Sequence, residues 1–275
     1  MRKLGRAGIL FLLLAFVQTA IALERTRLGL VKEGELSFLT GLEYREGAYG
    51  TADSTSLLTI PLSLSYRKTN VSFFASVPLL YASSEGEIIV SNKTTMPKAP
   101  GGVTTTTTTT ATTQTASSIG DIILSGTYYL LPDHQNQVNY RLTATLKLGT
   151  ADEKKGLGTG ENDFMVEGGA AKTITDYILS GSLGYEISGD SAVYNYNDVI
   201  YGTAGITRLL ETYREIGSYL YFSQAVTDGS EAPLELSFFY SQPIADTRSL
   251  YLYLIKGFSD GSPDFAIGGT IQIYY

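Results

Sequence analysis

Hydrophobic and polar residues alternate with a period of two along most of this chain. In Val138–Leu148 the apolar side chains share one face, and Arg141, Thr143, Thr145 and Lys147 share the other. Such alternation is typical of β-strands with one apolar and one polar face. Each segment is close to the roughly 9–11 residues that a tilted membrane strand needs. Twelve segments show the pattern: Glu35–Arg45, Ser56–Arg67, Val71–Tyr81, Gly120–Leu130, Val138–Leu148, Phe164–Ala171, Tyr177–Ile187, Val199–Arg208, Glu215–Ser223, Leu234–Tyr240, Ser249–Ile255 and Phe265–Tyr275.

The connections between these segments alternate in length. Those after odd-numbered segments are mostly long and polar, whereas those after even-numbered segments are short: 68–70, 131–137, 172–176, 209–212 and 242–247. Outer-membrane barrels have short periplasmic turns and longer outer loops. The sequence therefore predicts an all-β fold, a transmembrane antiparallel up-and-down β-barrel of about 12 strands. We expect it in the bacterial outer membrane with both termini in the periplasm.

The beginning of the chain has the parts of a secretory signal peptide. Basic residues precede the apolar run Ile9–Val17, and Ala20 and Ala22 provide the small side chains that signal peptidase requires. We expect residues 1–22 to be the signal peptide and residues 23–275 to form the barrel. A retained N-terminal anchor is the alternative.

Composition narrows the possible partners. The net charge is −7, and removal of the basic leader takes it to about −10, so the chain lacks the positive surface that nucleic-acid binding requires. There is no cysteine, which excludes disulfides and thiolate metal sites. No later apolar run reaches the length of a membrane helix. The expected partners are outer-membrane lipid and lipopolysaccharide, small-molecule solutes, and the barrel-assembly machinery, which would recognise the strand Phe265–Tyr275.

The chain has twenty tyrosines and no tryptophan. An amphipathic ring suits the headgroup level of a membrane, so tyrosines at the ends of apolar faces are expected to form two girdles. Ordinary β-propensity is the alternative explanation. The candidates are Tyr44, Tyr66, Tyr81, Tyr128, Tyr140, Tyr185, Tyr240 and Tyr275.

The longest connection contains seven consecutive threonines, Thr104–Thr110. No packed core can be built from this low-complexity stretch, so we expect residues 82–118 to form a long outer loop. Glu87–Ser91 is predicted as a short strand above the membrane. The functional alternative is a loop that folds inward and constricts a pore.

The sequence contains few residues that could form an enzyme active site. The only histidine, His134, lies in a predicted periplasmic turn, whereas an outer-membrane Ser-His hydrolase needs its histidine on the outer side. The glycine-rich segment Gly156–Gly160 lacks the following helix and the Lys-Ser/Thr pair of a phosphate loop. We therefore expect no catalytic residue, cofactor or metal. Acidic residues flank the glycine-rich segment, either as a solvated loop or as ligands for calcium or for cations that bridge lipopolysaccharide: Asp152, Glu153, Glu161 and Asp163.

Charged residues on the polar faces of the strands are the main candidates for a functional role. A basic residue facing lipid near mid-membrane costs about 2–4 kcal/mol, so these side chains are expected to face inward. Side chains fill the interior of an eight-stranded barrel, whereas a sixteen-stranded barrel leaves a water-filled channel. A barrel of twelve strands is therefore expected to have a narrow, polar, partly occluded lumen. Whether the charges line a pore or pair and close it stays open. The lumen-lining candidates are Glu43, Arg67, Arg141, Lys147, Glu167, Glu186, Glu215 and Glu235.

Short motifs in the middle of the chain carry a family resemblance. They are Lys147-Leu148-Gly149-Thr150, Gly156–Gly160, Asp163-Phe164 and Tyr177–Tyr185. They resemble the outer-membrane family named for the MetA pathway of phenol degradation. The resemblance implies an outer-membrane channel or transporter for small molecules, hydrophobic or aromatic compounds among them. It supplies no binding residues. The alternative is a non-conducting structural or adhesion barrel that acts through its outer loops.

Overall fold

The computed structural model describes residues 34–50, 52–85, 88, 114–130, 138–189, 196–227 and 230–275. The predicted signal peptide, the threonine run, the Glu87–Ser91 segment apart from Ile88, and His134 lie outside the described residues. Within the described ranges, no helix is long and apolar enough to cross a membrane. The helices described there are two single 3-10 turns, Glu153–Lys155 and Glu211–Tyr213.

The strands form one antiparallel sheet that closes on itself: β4 and β5 both pair with β3, every other strand pairs with its sequence neighbours, and the first strand pairs with the last. Together β4 and β5 occupy one position, so the barrel has twelve strand positions and the predicted fold is confirmed. The strands are β1 (Glu35–Gly47), β2 (Thr55–Lys68), β3 (Val71–Ser84), β4 (Gln114–Ile119), β5 (Ile122–Leu130), β6 (Asn139–Leu148), β7 (Asp163–Ile174), β8 (Tyr177–Ile187), β9 (Val199–Leu209), β10 (Glu215–Ser223), β11 (Leu234–Ala245), β12 (Arg248–Gly257) and β13 (Phe265–Tyr274).

Closure takes place between β1 and β13. Their pairing runs without a shift from Ser37 opposite Tyr274 to Glu46 opposite Phe265. The backbone N–H of Tyr275 extends the contact by donating to the carbonyl of Leu36 at 2.8 Å. This closure leaves no exposed edge on β1 or β13, which is a requirement for strands in lipid.

The two rims of the barrel differ in their connections. One rim, the short-turn rim, carries the tight turns at Thr69–Asn70, Thr175–Asp176 and Asp246–Thr247. It also carries the start of β1 and the end of β13. The opposite rim, the long-loop rim, carries the longer segments, among them residues 149–162 and 258–264.

A β-bulge interrupts the fourth strand position at Gly120–Asp121. On one side Leu79 pairs with Ile119, and on the other Ser76 pairs with Ile123, a shift of one residue. Pro78 lies opposite the interruption and has no N–H to donate, although its carbonyl accepts from Gly120 at 2.7 Å. The range 82–118, predicted as a loop, therefore begins and ends in strand, because β3 and β4 continue their pairing beyond the bulge.

The outer surface of the barrel is apolar. Leu, Ile, Val and Phe side chains from all positions are exposed around it, as lipid contact requires. Tyr66, Tyr128, Tyr140 and Tyr275 are exposed near the short-turn rim, and Tyr81 and Tyr185 near the long-loop rim. Tyr44 and Tyr240 also lie on the outward face of their strands, but they are half-buried. The outward tyrosines thus occupy both ends of the apolar surface.

Candidate functional site

The interior of the barrel holds the charged residues that the sequence singled out. All eight candidates lie on inward faces, and seven are at least nine-tenths buried, with Glu186 half-buried. The place of each residue in its strand fixes its position along the barrel axis, between the two rims. Arg67 and Glu215 lie at the short-turn rim, Arg141 and Glu167 lie deeper, and the rest lie toward the long-loop rim: Glu43, Lys147, Glu186 and Glu235.

The structure gathers Glu43, Arg45 and Glu235 near the long-loop rim. All three are 1% exposed. Arg45 Nη2 lies 3.3 Å from Glu43 Oε1, and the Tyr253 hydroxyl donates to Glu43 Oε2 at 2.8 Å. Tyr49, buried in the loop after β1, lies near Arg45, and burial raises the pKa of its hydroxyl. The cluster places two carboxylates around one guanidinium. The sequence set did not include Arg45, although its parity with Glu43 points it inward.

Arg141 and Glu167 form a second buried pair across β6 and β7. Arg141 Nη2 donates to Glu167 Oε1 at 2.7 Å. The guanidinium lies over Gly169, the residue directly opposite Arg141, and so reaches diagonally along the wall. A charged pair in a low-dielectric interior depends on this partnership, because a lone buried charge is costly.

Lys147 anchors the loop 149–162 to the long-loop rim. Its ammonium forms ion pairs with Asp163 and, at 3.4 Å, with Asp121, and it donates to the Thr159 hydroxyl at 3.3 Å. Asp121 reaches this position from the bulge. Asp163, a candidate calcium ligand, is thus a partner of Lys147. Among the described residues, no group of three or more His, Cys, Asp or Glu side chains is arranged to hold a metal.

The same loop closes part of the long-loop rim with apolar side chains. Leu157, 1% exposed, packs in a cluster with Leu57, Leu80, Ala82 and Ile88. The other members project inward from β2 and β3 or, in the case of Ile88, come from the connection after β3. This contact places one described residue of the long connection at the rim. Apart from Glu85 and Ile88, residues 85–113 lie outside the described residues.

Buried aromatic side chains form one wall of the barrel interior, which the sequence analysis missed. This aromatic wall consists of Tyr201, Tyr219, Tyr221, Phe239, Tyr251 and Tyr253. Tyr219 and Phe239 are stacked with ring centroids 5.4 Å apart, and Phe239 and Tyr251 at 5.3 Å. Tyr201 and Tyr221 form another stacked pair at 6.5 Å. A continuous sequence of rings therefore lines strands β9 to β12.

Most of these rings lie flat against the barrel because a glycine faces them on the neighbouring strand. Direct cross-strand pairs join Tyr201 to Gly184, Tyr219 to Gly205, Phe239 to Gly217, and Tyr253 to Gly268. A Cβ added at any of these glycines would overlap the ring opposite. The absent side chains are what allow the rings to lie along the wall instead of projecting across the lumen.

Hydroxyl groups cover the opposite wall. Cross-strand hydrogen bonds join Ser63 to Ser76 at 2.8 Å, Ser125 to Thr145 at 2.8 Å, and Thr127 to Thr143 at 3.0 Å. This hydroxyl wall spans β2, β3, β5 and β6, six positions around the ring of twelve from β9 to β12. The rings thus face a wall that carries these hydroxyl pairs, and buried hydroxyls also lie among the rings, at Thr203, Thr207 and Ser237.

Parity in the sequence already contains the signal for the aromatic wall. If Leu220 faces lipid, then Tyr219 and Tyr221 face inward, and Leu252 and Leu254 place Tyr251 and Tyr253 inward by the same rule. An amphipathic ring suits a membrane girdle and a lumen equally well. Tyrosine content by itself therefore does not separate the two locations.

Comparisons with known proteins agree with this architecture. The family described as "Putative MetA-pathway of phenol degradation" matches residues 48–273. The fold is similar to the COG4313 outer membrane channel from Pseudomonas putida F1, with a TM-score of 0.65 and 11% identity over 89% of this chain and 97% of that chain. At this identity the likeness establishes the outer-membrane barrel fold.

Two further solved structures are more distant. The CymD monoaromatic hydrocarbon channel has a TM-score of 0.42 and 12% identity over 92% of this chain and 90% of its own. The toluene transporter TbuX of Ralstonia pickettii has a TM-score of 0.42 and 12% identity over 90% of this chain and 89% of its own. These scores are too low to support a functional conclusion. A comparison with curated proteins finds no match.

Proposed function

The chain belongs to the family described as the putative MetA-pathway of phenol degradation, and we propose that it is an outer-membrane channel for small, predominantly aromatic molecules. The aromatic wall is the observation that carries this proposal. An apolar ring gains from contact with stacked aromatic side chains, and offset or edge contacts between rings add to the area they bury. The facing hydroxyl wall accommodates polar substituents. The short-turn rim is then the periplasmic rim, and the long-loop rim is the outer one.

The proposal predicts that a solute interrupts the ionic current through one barrel when it occupies the aromatic wall. In a planar lipid bilayer, benzyl alcohol is expected to produce longer blockades than cyclohexylmethanol, which has a similar size without the aromatic ring. Tyr219→Ala should shorten the benzyl alcohol blockades toward those of cyclohexylmethanol. Equal blockade times for the two alcohols would contradict the proposal that aromatic solutes are preferred.

A non-conducting barrel that acts through its outer loops is the second candidate. The apolar packing of Leu157 at the long-loop rim and the buried ion pairs favour it, because they occupy the lumen. The same bilayer recording separates the two functions. A refolded protein that shows no step currents at any voltage would rule out the channel and favour this alternative.

The charges of the lumen predict ion selectivity. Among the described inward-facing residues, carboxylates outnumber basic groups, which are Arg45, Arg67, Arg141 and Lys147. A negative lumen concentrates cations, and salt screens the effect. We expect the reversal potential in a potassium chloride gradient to indicate cation preference, stronger at low ionic strength. An anion-selective current would show that the charge balance of these residues does not set permeation.

A further inference from the structure

Arg67 differs from the other basic residues of the lumen. Its side chain is 5% exposed, yet none of its three guanidinium nitrogens has a hydrogen-bond partner. By contrast, Arg45, Arg141 and Lys147 each form an ion pair with a carboxylate. A buried charge without an acceptor is strongly destabilising. The short-turn rim therefore holds a buried guanidinium whose three nitrogens have no acceptor from the protein, and an anion would supply one.

Tyr129 fixes the orientation of this guanidinium. The Arg67 Cζ atom lies 4.3 Å from the centroid of the Tyr129 ring, in a cation–π contact. Tyr129 is itself 2% exposed, and its hydroxyl lies 3.2 Å from the Ser72 hydroxyl. The contact with the ring uses one face of the guanidinium plane. The N–H groups at its edges have no acceptor among the described residues.

We propose that Arg67 on Tyr129 forms a binding site for a small carboxylate at the periplasmic rim of the lumen. The planar fork of arginine matches the two oxygens of a carboxylate and forms two parallel hydrogen bonds. The surrounding negative lumen disfavours anions of higher charge, which leaves a monocarboxylate as the ligand class. Glu35 lies directly opposite Arg67 in the pairing of β1 with β2 and repels a bound anion.

Binding of acetate and benzoate to the purified, refolded full-length protein in detergent, measured by isothermal titration calorimetry, tests the site. We expect saturable binding of both anions, weakened about tenfold or more by Arg67→Gln because charge-assisted hydrogen bonds are lost. Glu35→Gln should tighten binding. Arg67→Lys, which keeps the charge but not the fork, should fall between the wild type and Arg67→Gln. Binding of benzyl alcohol should not change in any of these variants.

Arg208 provides the matched control. It also lies over a tyrosine near the short-turn rim, with its Cζ atom 5.8 Å from the Tyr177 centroid, but on the lipid side of the barrel. Arg208→Gln should leave anion binding unchanged. Absence of acetate binding to the wild type, or equal losses in Arg67→Gln and Arg208→Gln, would overturn the proposal. If Arg67→Gln fails to fold, unchanged anion affinity in both Glu35→Gln and Arg67→Lys would do the same. None of these results bears on blockade by neutral aromatic solutes, so the channel proposal is judged separately.

Discussion

Replacing Gly205 with alanine is expected to lower the single-channel conductance and to shorten blockades by benzyl alcohol. The new methyl group would occupy the position of the Tyr219 ring, which lies flat over Gly205. The ring must then rotate away from the wall and project into the lumen. Overpacking of this kind costs about 1–3 kcal/mol. We therefore also expect a lower free energy of unfolding in lipid vesicles.

A second substitution makes this prediction specific to the ring. In the double variant Gly205→Ala/Tyr219→Ala, the methyl group has nothing to displace, so conductance should return to at least the wild-type value while aromatic blockades stay short. Gly168→Ala is the matched control. It adds the same methyl group to β7 on the lipid side, where nothing lies within 4 Å. A double variant with the low conductance of Gly205→Ala would refute this explanation.

Replacing Glu167 with glutamine is expected to lower the free energy of unfolding more than Gly205→Ala does. The substitution leaves Arg141 buried without its carboxylate, which typically costs about 3–5 kcal/mol. The free energy of unfolding in vesicles measures this loss. Removing both charges, as in Arg141→Met/Glu167→Gln, should recover most of the stability because no unpaired charge remains. If the double variant is as unstable as Glu167→Gln, the pair does not act as a unit.

The same pair predicts opposite effects on ion selectivity. Glu167→Gln removes a negative charge from the lumen and should shift the reversal potential toward anions. Arg141→Ala removes a positive charge and should shift it toward cations. Unchanged selectivity in both variants would mean that the two residues do not line the conducting path, even though both face inward.

The barrel was largely predictable from the sequence because the physics of a membrane strand is local. Apolar residues at every second position specify the lipid face of β6 or β13 without any knowledge of neighbouring strands. The alternating connection lengths then place the strand ends at the two rims. Closure between β1 and β13 follows from an even number of strand positions.

Features that depend on register were not predictable. The bulge at Gly120–Asp121 arises opposite Pro78, and only the pairing of β3 with β4 and β5 brings these residues together. The bond from Arg141 to Glu167 runs diagonally across two strands, so inward parity alone does not identify the partners. The loop 149–162 illustrates the same limit, since its glycine-rich sequence gives no sign that Leu157 packs against Leu57.

The stacked rings give the lumen an optical signal of its own. The chain has no tryptophan, so its near-ultraviolet circular dichroism comes from tyrosine and phenylalanine alone. Outward tyrosines such as Tyr140 contact fluid lipid, whereas Tyr201 and Tyr221 are held in a fixed, asymmetric stack. The immobile interior rings should therefore dominate the spectrum. A solute that settles on the aromatic wall becomes observable without any attached label.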